Sequence, residues 1–151
     1  MIDICTVVFE EEIPVLQVQA DSIARYCTKL GVRNIYVIVN DLERHVDSID
    51  PNWWGPLKNH VLIIPRTAFS AAWIENGWVT QQLFKMLAAS MSYNTWTMVL
   101  DAKTIFVREF DPATIVGEDG RLAVGYYPTL EVFKPAQDIV NNFFNTSALA
   151  I

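Results

Sequence analysis

A chain of 151 residues is long enough to bury a core without disulfides or metals, so a single domain over 1–151 is expected. A net charge of -6 and a pI near 4.8 exclude general nucleic-acid binding, which depends on Lys and Arg set against phosphates. The chain is 52% hydrophobic with a mean hydropathy of +0.22, yet no apolar run approaches the roughly 18 residues of a membrane span.

Met1-Ile2-Asp3-Ile4 enters a strand without the basic and apolar regions of a signal peptide, and a cytoplasmic protein is expected. The apolar, β-branched run from Ile4 to Phe9 predicts a buried strand that stops at Glu10-Glu11-Glu12, a helix start that carries Pro14 in its first turn. Ile13, Leu16, Ala20, Ile23, Ala24, Cys27 and Leu30 then recur at spacings of three and four, one apolar helix face ended by Gly31. Asn34 to Val39 is a second buried strand. Strand, helix and strand at this spacing form a crossover unit, right-handed and parallel. Cys5 in the strand and Cys27 on the helix face match neither a metal pair nor a redox motif and are read as buried thiols.

The stretch from Leu42 to His60 reads as a loop with one short helix around Pro51 to Leu57, followed by a short strand from Val61 to Ile64 that Pro65 stops. Between Gly77 and Ser90, Val79, Leu83, Met86, Leu87 and Ser90 are expected on one helix face, with Gln81, Gln82 and Lys85 on another. A fourth strand covers Thr95 to Leu100 and ends at Asp101. Shorter expectations are strands over Thr104 to Val107 and Arg121 to Tyr127 and a closing helix over Ala136 to Leu149.

Phosphate-loop, dinucleotide, nucleophile-elbow and zinc-protease motifs are all missing from the sequence. His45 and His60, the two histidines, have no neighbouring ligand at metal spacing and read as solvated loop residues. In open parallel sheets, ligands bind beyond the carboxyl ends of the strands. Those ends carry Phe9-Glu10, Asn40-Asp41 and Asp101-Ala102-Lys103. Asn40 and Asp41 suit a base or ribose hydroxyl, and equally well the opening of a turn. Asp101, desolvated on one side at the end of a buried strand, needs a metal, a ligand hydroxyl or a cation such as Lys103.

The strand ending in Asp101, the helix with Gly77-Trp78-Val79-Thr80-Gln81-Gln82-Leu83-Phe84-Lys85, and the opening Val7-Val8-Phe9-Glu10 together resemble the GT-A fold of nucleotide-diphospho-sugar transferases. Within that fold the sequence looks like a bacterial and phage branch of glycosyltransferases in which a W-x-x-Q-Q-x-x-K helix precedes a strand ending in L-D-x-[DK]. The resemblance runs over roughly the first 110 residues. It implies a three-layer α/β/α fold on a mostly parallel sheet, shortened at the C-terminus, that takes a nucleotide-diphosphate sugar as donor for an unknown acceptor.

Carried over by position, the resemblance implies that Thr6, Val7 and Phe9 lie near the base and Asn40 and Asp41 near the base or ribose. Trp78, Gln82 and Lys85 then lie within reach of the sugar or phosphates, and Asp101 stands at the first carboxylate of a D-x-D motif that holds Mn²⁺ or Mg²⁺. Lys103 replaces the second carboxylate. An ammonium there repels a metal but can itself meet a diphosphate, so metal-independent binding is the corresponding expectation.

The stretch after Gly125 is too short for the acceptor-binding strands and catalytic base of such enzymes, which opens the alternative of a non-catalytic module on the same fold. Five Trp, among them Trp53, Trp54, Trp73 and Trp78 in the middle third, read as an aromatic surface for a sugar or partner, or as core for at least half of them. So apolar a chain is also expected to cover exposed surface by pairing with a second copy.

Overall fold

A computed structural model describes residues 1–40, 43–69, 77–111, 113, 115–122 and 134. Strand β1 (Ile2–Val8) leads into helix α1 (Ile13–Tyr26), then β2 (Val32–Val39), β3 (Val61–Pro65), helix α2 (Gly77–Met91) and β4 (Trp96–Asp101). The sheet order is β3-β2-β1-β4, and every pairing is parallel. The crossover unit, the parallel sheet and the α/β class are therefore as the sequence predicts. Among the described residues, no helix is long and apolar enough to cross a membrane.

Alternation along β1 and β2 sends side chains to two cores, as the two-residue period of a strand requires. Ile4, Val8, Ile35, Val37 and Val39 pack with Leu16, Ala20 and Ile23 of α1 and with Trp54, whereas Cys5, Val7, Tyr36 and Ile38 pack with Phe84 and Ala88 of α2. The sheet is thus covered on both faces, which is why its two central strands are largely apolar on both sides. Full burial of Trp54 and Phe84 contributes most per residue, with truncation of such side chains costing about 3–5 kcal/mol.

Several local details depart from the sequence reading. Helix α1 stops at Tyr26, and a single 3-10 turn (Thr28–Leu30) carries the chain to Gly31, whose φ of 61° is the left-handed conformation that a glycine adopts without strain. At the other end, Glu10–Glu12 form a 3-10 turn rather than the first α-helical turn. Glu12 Oε2 accepts the Phe9 N–H at 3.3 Å, one half of a capping box, since Phe9 has no side-chain acceptor to complete it.

The short helix expected around Pro51 extends to His60 as 3-10 structure, broken at Gly55 (φ 50°, ψ -118°). The buried face of α2 is Thr80, Phe84 and Ala88, with Leu83 and Leu87 partly covered, so Val79, Met86 and Ser90 turn toward solvent instead of lining the core.

No strand forms over Thr104–Val107, because its backbone groups are taken by α1. Thr104 O accepts from Gln19 Nε2 at 3.0 Å and Phe106 N–H donates to Ser22 Oγ at 3.1 Å, so this segment runs along the helix rather than beside a strand. The strand expected over 121–127 lies outside the described residues beyond 122, and Leu122 makes one isolated antiparallel bridge to Val116. The closing helix expected over 136–149 lies wholly outside them.

Candidate functional site

The chain leaves β1 for β2 on one side and returns through α2 to place β4 on the other, so the ends of β1 and β4 flank the point where the order of connection reverses. That is where open parallel sheets bind ligands. Register sets Asp101 beside Val7, one residue from the end of β1.

On the α2 side of this carboxyl rim stand Phe9, Asp101 and Lys85. A Cβ at Gly77 would sit 3.6 Å from the Phe9 ring, which places that ring against the start of α2. The partner of Asp101 is Lys85, whose Nζ donates to Asp101 Oδ1. Lys85 is the enclosed member of this pair at 15% exposure, against 63% for the carboxylate. The sequence offered Lys103 as the nearby cation; the helix supplies a different one because a residue two turns into α2 overhangs the end of β4.

On the α1 side, Lys103 Nζ meets Glu12 Oε1 at 3.1 Å, so the same carboxylate that caps Phe9 neutralises the lysine after β4. Gln19, fully buried, donates through Nε2 to Asp101 O at 2.6 Å and to Thr104 O at 3.0 Å, which fixes the turn carrying Lys103. Further along the rim His45 lies 3.3 Å from Glu10 and is only 7% exposed. The solvated reading of His45 is therefore corrected: the 3-10 helix Glu43–Ser48 folds it back over the sheet end. His60 is exposed as expected, with Nδ1 2.8 Å from Arg33 O.

The remaining expected site residues divide. Thr6 and Val7 lie inside β1 at 1% and 0% exposure, so Phe9 is the member of that run at the rim. Asn40 follows β2, its N–H donating to Val8 O at 2.9 Å. Its side chain is buried, and Nδ2 has no partner among the described residues, a deficit shared by Thr6 Oγ1 and Gln19 Oε1. An unpaired buried donor of this kind costs about 1–3 kcal/mol, so a ligand acceptor or water is favoured there. Asp41 lies outside the described residues. Trp78 is 70% exposed in the first turn of α2 and Gln82 half-buried in the second. Trp54 is core, Trp53 stacks beside it at 6.2 Å between ring centroids, and Trp73 lies outside the described residues.

Asp101 faces an ammonium, and no group of three His, Cys, Asp or Glu converges among the described residues. Cys5 and Cys27 are buried and free, and burial pushes each thiol up to about 12, in Cys5 against the opposing pull of Lys85. Neither is a nucleophile at neutral pH. Burial, followed by the nearby Asp3 carboxylate, also raises Tyr36.

The opposite end of the sheet carries an apolar cavity. Met1, Ile2, Leu30, Trp96, Ile115 and Val116 line a cavity of about 230 Å³ there. Comparison with family models, with curated proteins and with solved structures gives no match.

The sequence expectation includes Lys85, Lys103 and Asp101 but not Glu12, which the fold brings onto the same rim. Its signal was the spacing of three from Phe9, which marks a carboxylate folded back onto the chain ahead of a helix.

Proposed function

We propose that the chain binds a nucleotide-diphosphate sugar along the carboxyl rim of its sheet, as donor for transfer to an acceptor, and that Lys85 and Lys103 meet the diphosphate in place of Mn²⁺ or Mg²⁺. The observation that carries this reading is the position of Asp101 and Lys85 at the end of β4, directly beside β1. Two ammonium groups on this rim match the charge of a diphosphate, and each is held by one carboxylate that a phosphate oxygen can replace. Phe9 offers a flat apolar face and the Asn40 amide an unspent donor, features suited to a base. In the transfer, the bond from the anomeric carbon to the diphosphate oxygen breaks and the leaving diphosphate takes the bonding pair. The acceptor oxygen forms the new bond and its proton passes to an oxygen of the departing diphosphate.

A second reading, binding without transfer, is favoured by the pairing of the rim carboxylates. In the unliganded chain Glu10, Glu12 and Asp101 each have a cationic or histidine partner, so none of the three is poised as a base for the acceptor before a donor binds.

Calorimetry against UDP-, GDP- and dTDP-sugars, with and without Mn²⁺, tests the donor site. Binding that Mn²⁺ does not improve is expected, and no binding to any of them removes the proposal. Release of free sugar or formation of a transfer product then separates the enzyme from the binding module.

A further inference from the structure

We infer that Glu12 sets the affinity of the carboxyl rim for phosphate groups, acting as an internal anion that occupies Lys103 until a ligand displaces it. The inference rests on the proposed diphosphate site and adds to it a residue outside the sequence-derived set.

The contact is asymmetric. The Glu12 side chain is 17% exposed and that of Lys103 71%, so the carboxylate is enclosed and fixed while the ammonium sits at the end of a solvated chain. Two bonds hold the carboxylate: Oε2 accepts the Phe9 N–H and Oε1 meets Lys103 at 3.1 Å. Lys103 is in turn tethered by the turn that Gln19 clamps, with Thr104 N–H donating to Asp101 O at 2.8 Å. Its stem is thus anchored while its head stands in solvent, with Glu12 as its ion-pair partner. An incoming phosphate must take that head from Glu12, and the fraction of binding energy spent on the exchange lowers the measured affinity.

Glu12→Gln isolates this role. Glutamine keeps a carbonyl oxygen for the Phe9 N–H, as it does in capping boxes generally, but carries no charge to hold Lys103. Exposed ion pairs reach about 1 kcal/mol, which corresponds to about a fivefold change in dissociation constant.

The experiment is calorimetry of the intact chain with pyrophosphate, UDP and GDP at low salt, on the wild type, E12Q, E11Q and the double variant E12Q/K103A. Retained slow hydrogen exchange of the Phe9 amide verifies that E12Q keeps its cap. Expected is about two- to fivefold tighter binding by E12Q, little change in E11Q, which alters net charge equally one residue away, and loss of the gain in the double variant. Unchanged or weaker binding by E12Q overturns the inference while leaving the diphosphate site standing. An equal gain in E11Q also overturns it, since the effect is then the field of the whole rim. Absence of binding by all four proteins removes the diphosphate site and this inference together.

Discussion

The two ends of the sheet treat an aspartate in opposite ways. At the amino end Asp3 is fully buried in β1, and its carboxylate is met by neutral donors of the chain itself: Asn34 N–H at 3.0 Å, Asn34 Nδ2 at 3.2 Å and Ser92 Oγ at 2.6 Å. At the carboxyl end Asp101 is mostly exposed and held by one lysine from α2. The first arrangement fastens β1, β2 and the exit of α2 together and offers nothing to exchange. The second is an ion pair in which the carboxylate is open to solvent and the lysine enclosed. The buried acid, satisfied by neutral donors, belongs to architecture, and the exposed acid at the end of β4 is balanced by a single enclosed cation.

The same substitution at both ends is the most direct way to break this comparison. Asp3→Ala should cost about 3 kcal/mol, because it strands the half-buried Asn34 and Ser92 donors, whereas Asp101→Ala should change stability by less than about 1 kcal/mol. Urea denaturation of the two variants decides it, and equal losses would erase the distinction.

Between the ends, the core should be closed to titration. The thiols of Cys5 and Cys27 sit at about 12 in the folded chain, above their ordinary value of 9.0, so the unfolded chain releases these protons first. Their contribution is complete below pH 9 and is lost as pH rises from 9 toward 12; by pH 10 the two together remove about 2–3 kcal/mol. A denaturation series from pH 8 to 10 measures this, and Cys27→Ala should roughly halve the slope.

On the functional side, Lys85→Ala should weaken pyrophosphate or UDP binding by about tenfold, or about 1.4 kcal/mol, while the midpoint of denaturation moves little. A variant that loses stability but not affinity would move Lys85 into the architectural class with Asp3. At the amino end, Gly31→Ala imposes a side chain on a φ of 61° and should cost about 1 kcal/mol in thermal denaturation without touching binding.

The strands and both long helices were legible because their signals are local. Val7, Val8, Ile35 and Val37 are apolar through burial on two faces, and Leu16, Ala20 and Ile23 repeat with the helical period. What escaped the sequence depends on contacts between distant residues. Lys85 and Asp101 lie 16 residues apart, and only the antiparallel course of α2 over the sheet brings them together. The expected strand at Thr104–Val107 has the right composition, but Gln19 and Ser22 take its backbone partners, and nothing in a helix periodicity announces that a buried glutamine will reach out for a carbonyl. Likewise the α2 face was misjudged because Thr80 is buried while Met86 is not, a polar-for-apolar exchange that hydropathy orders the other way. Of the expected site, Phe9, Asn40, Asp101 and Lys103 stand at the strand ends anticipated, whereas the pairing among the charges came only with the fold.

The parallel order carries a consequence for how the chain is made. Residue Ile2 opposes Val32 on one side and Trp96 on the other, so the central strand meets its second neighbour only after most of the described chain has left the ribosome. Until then one margin of β1 has its peptide groups unsatisfied and its apolar side chains half covered, a slow, non-local closure that invites self-association during synthesis.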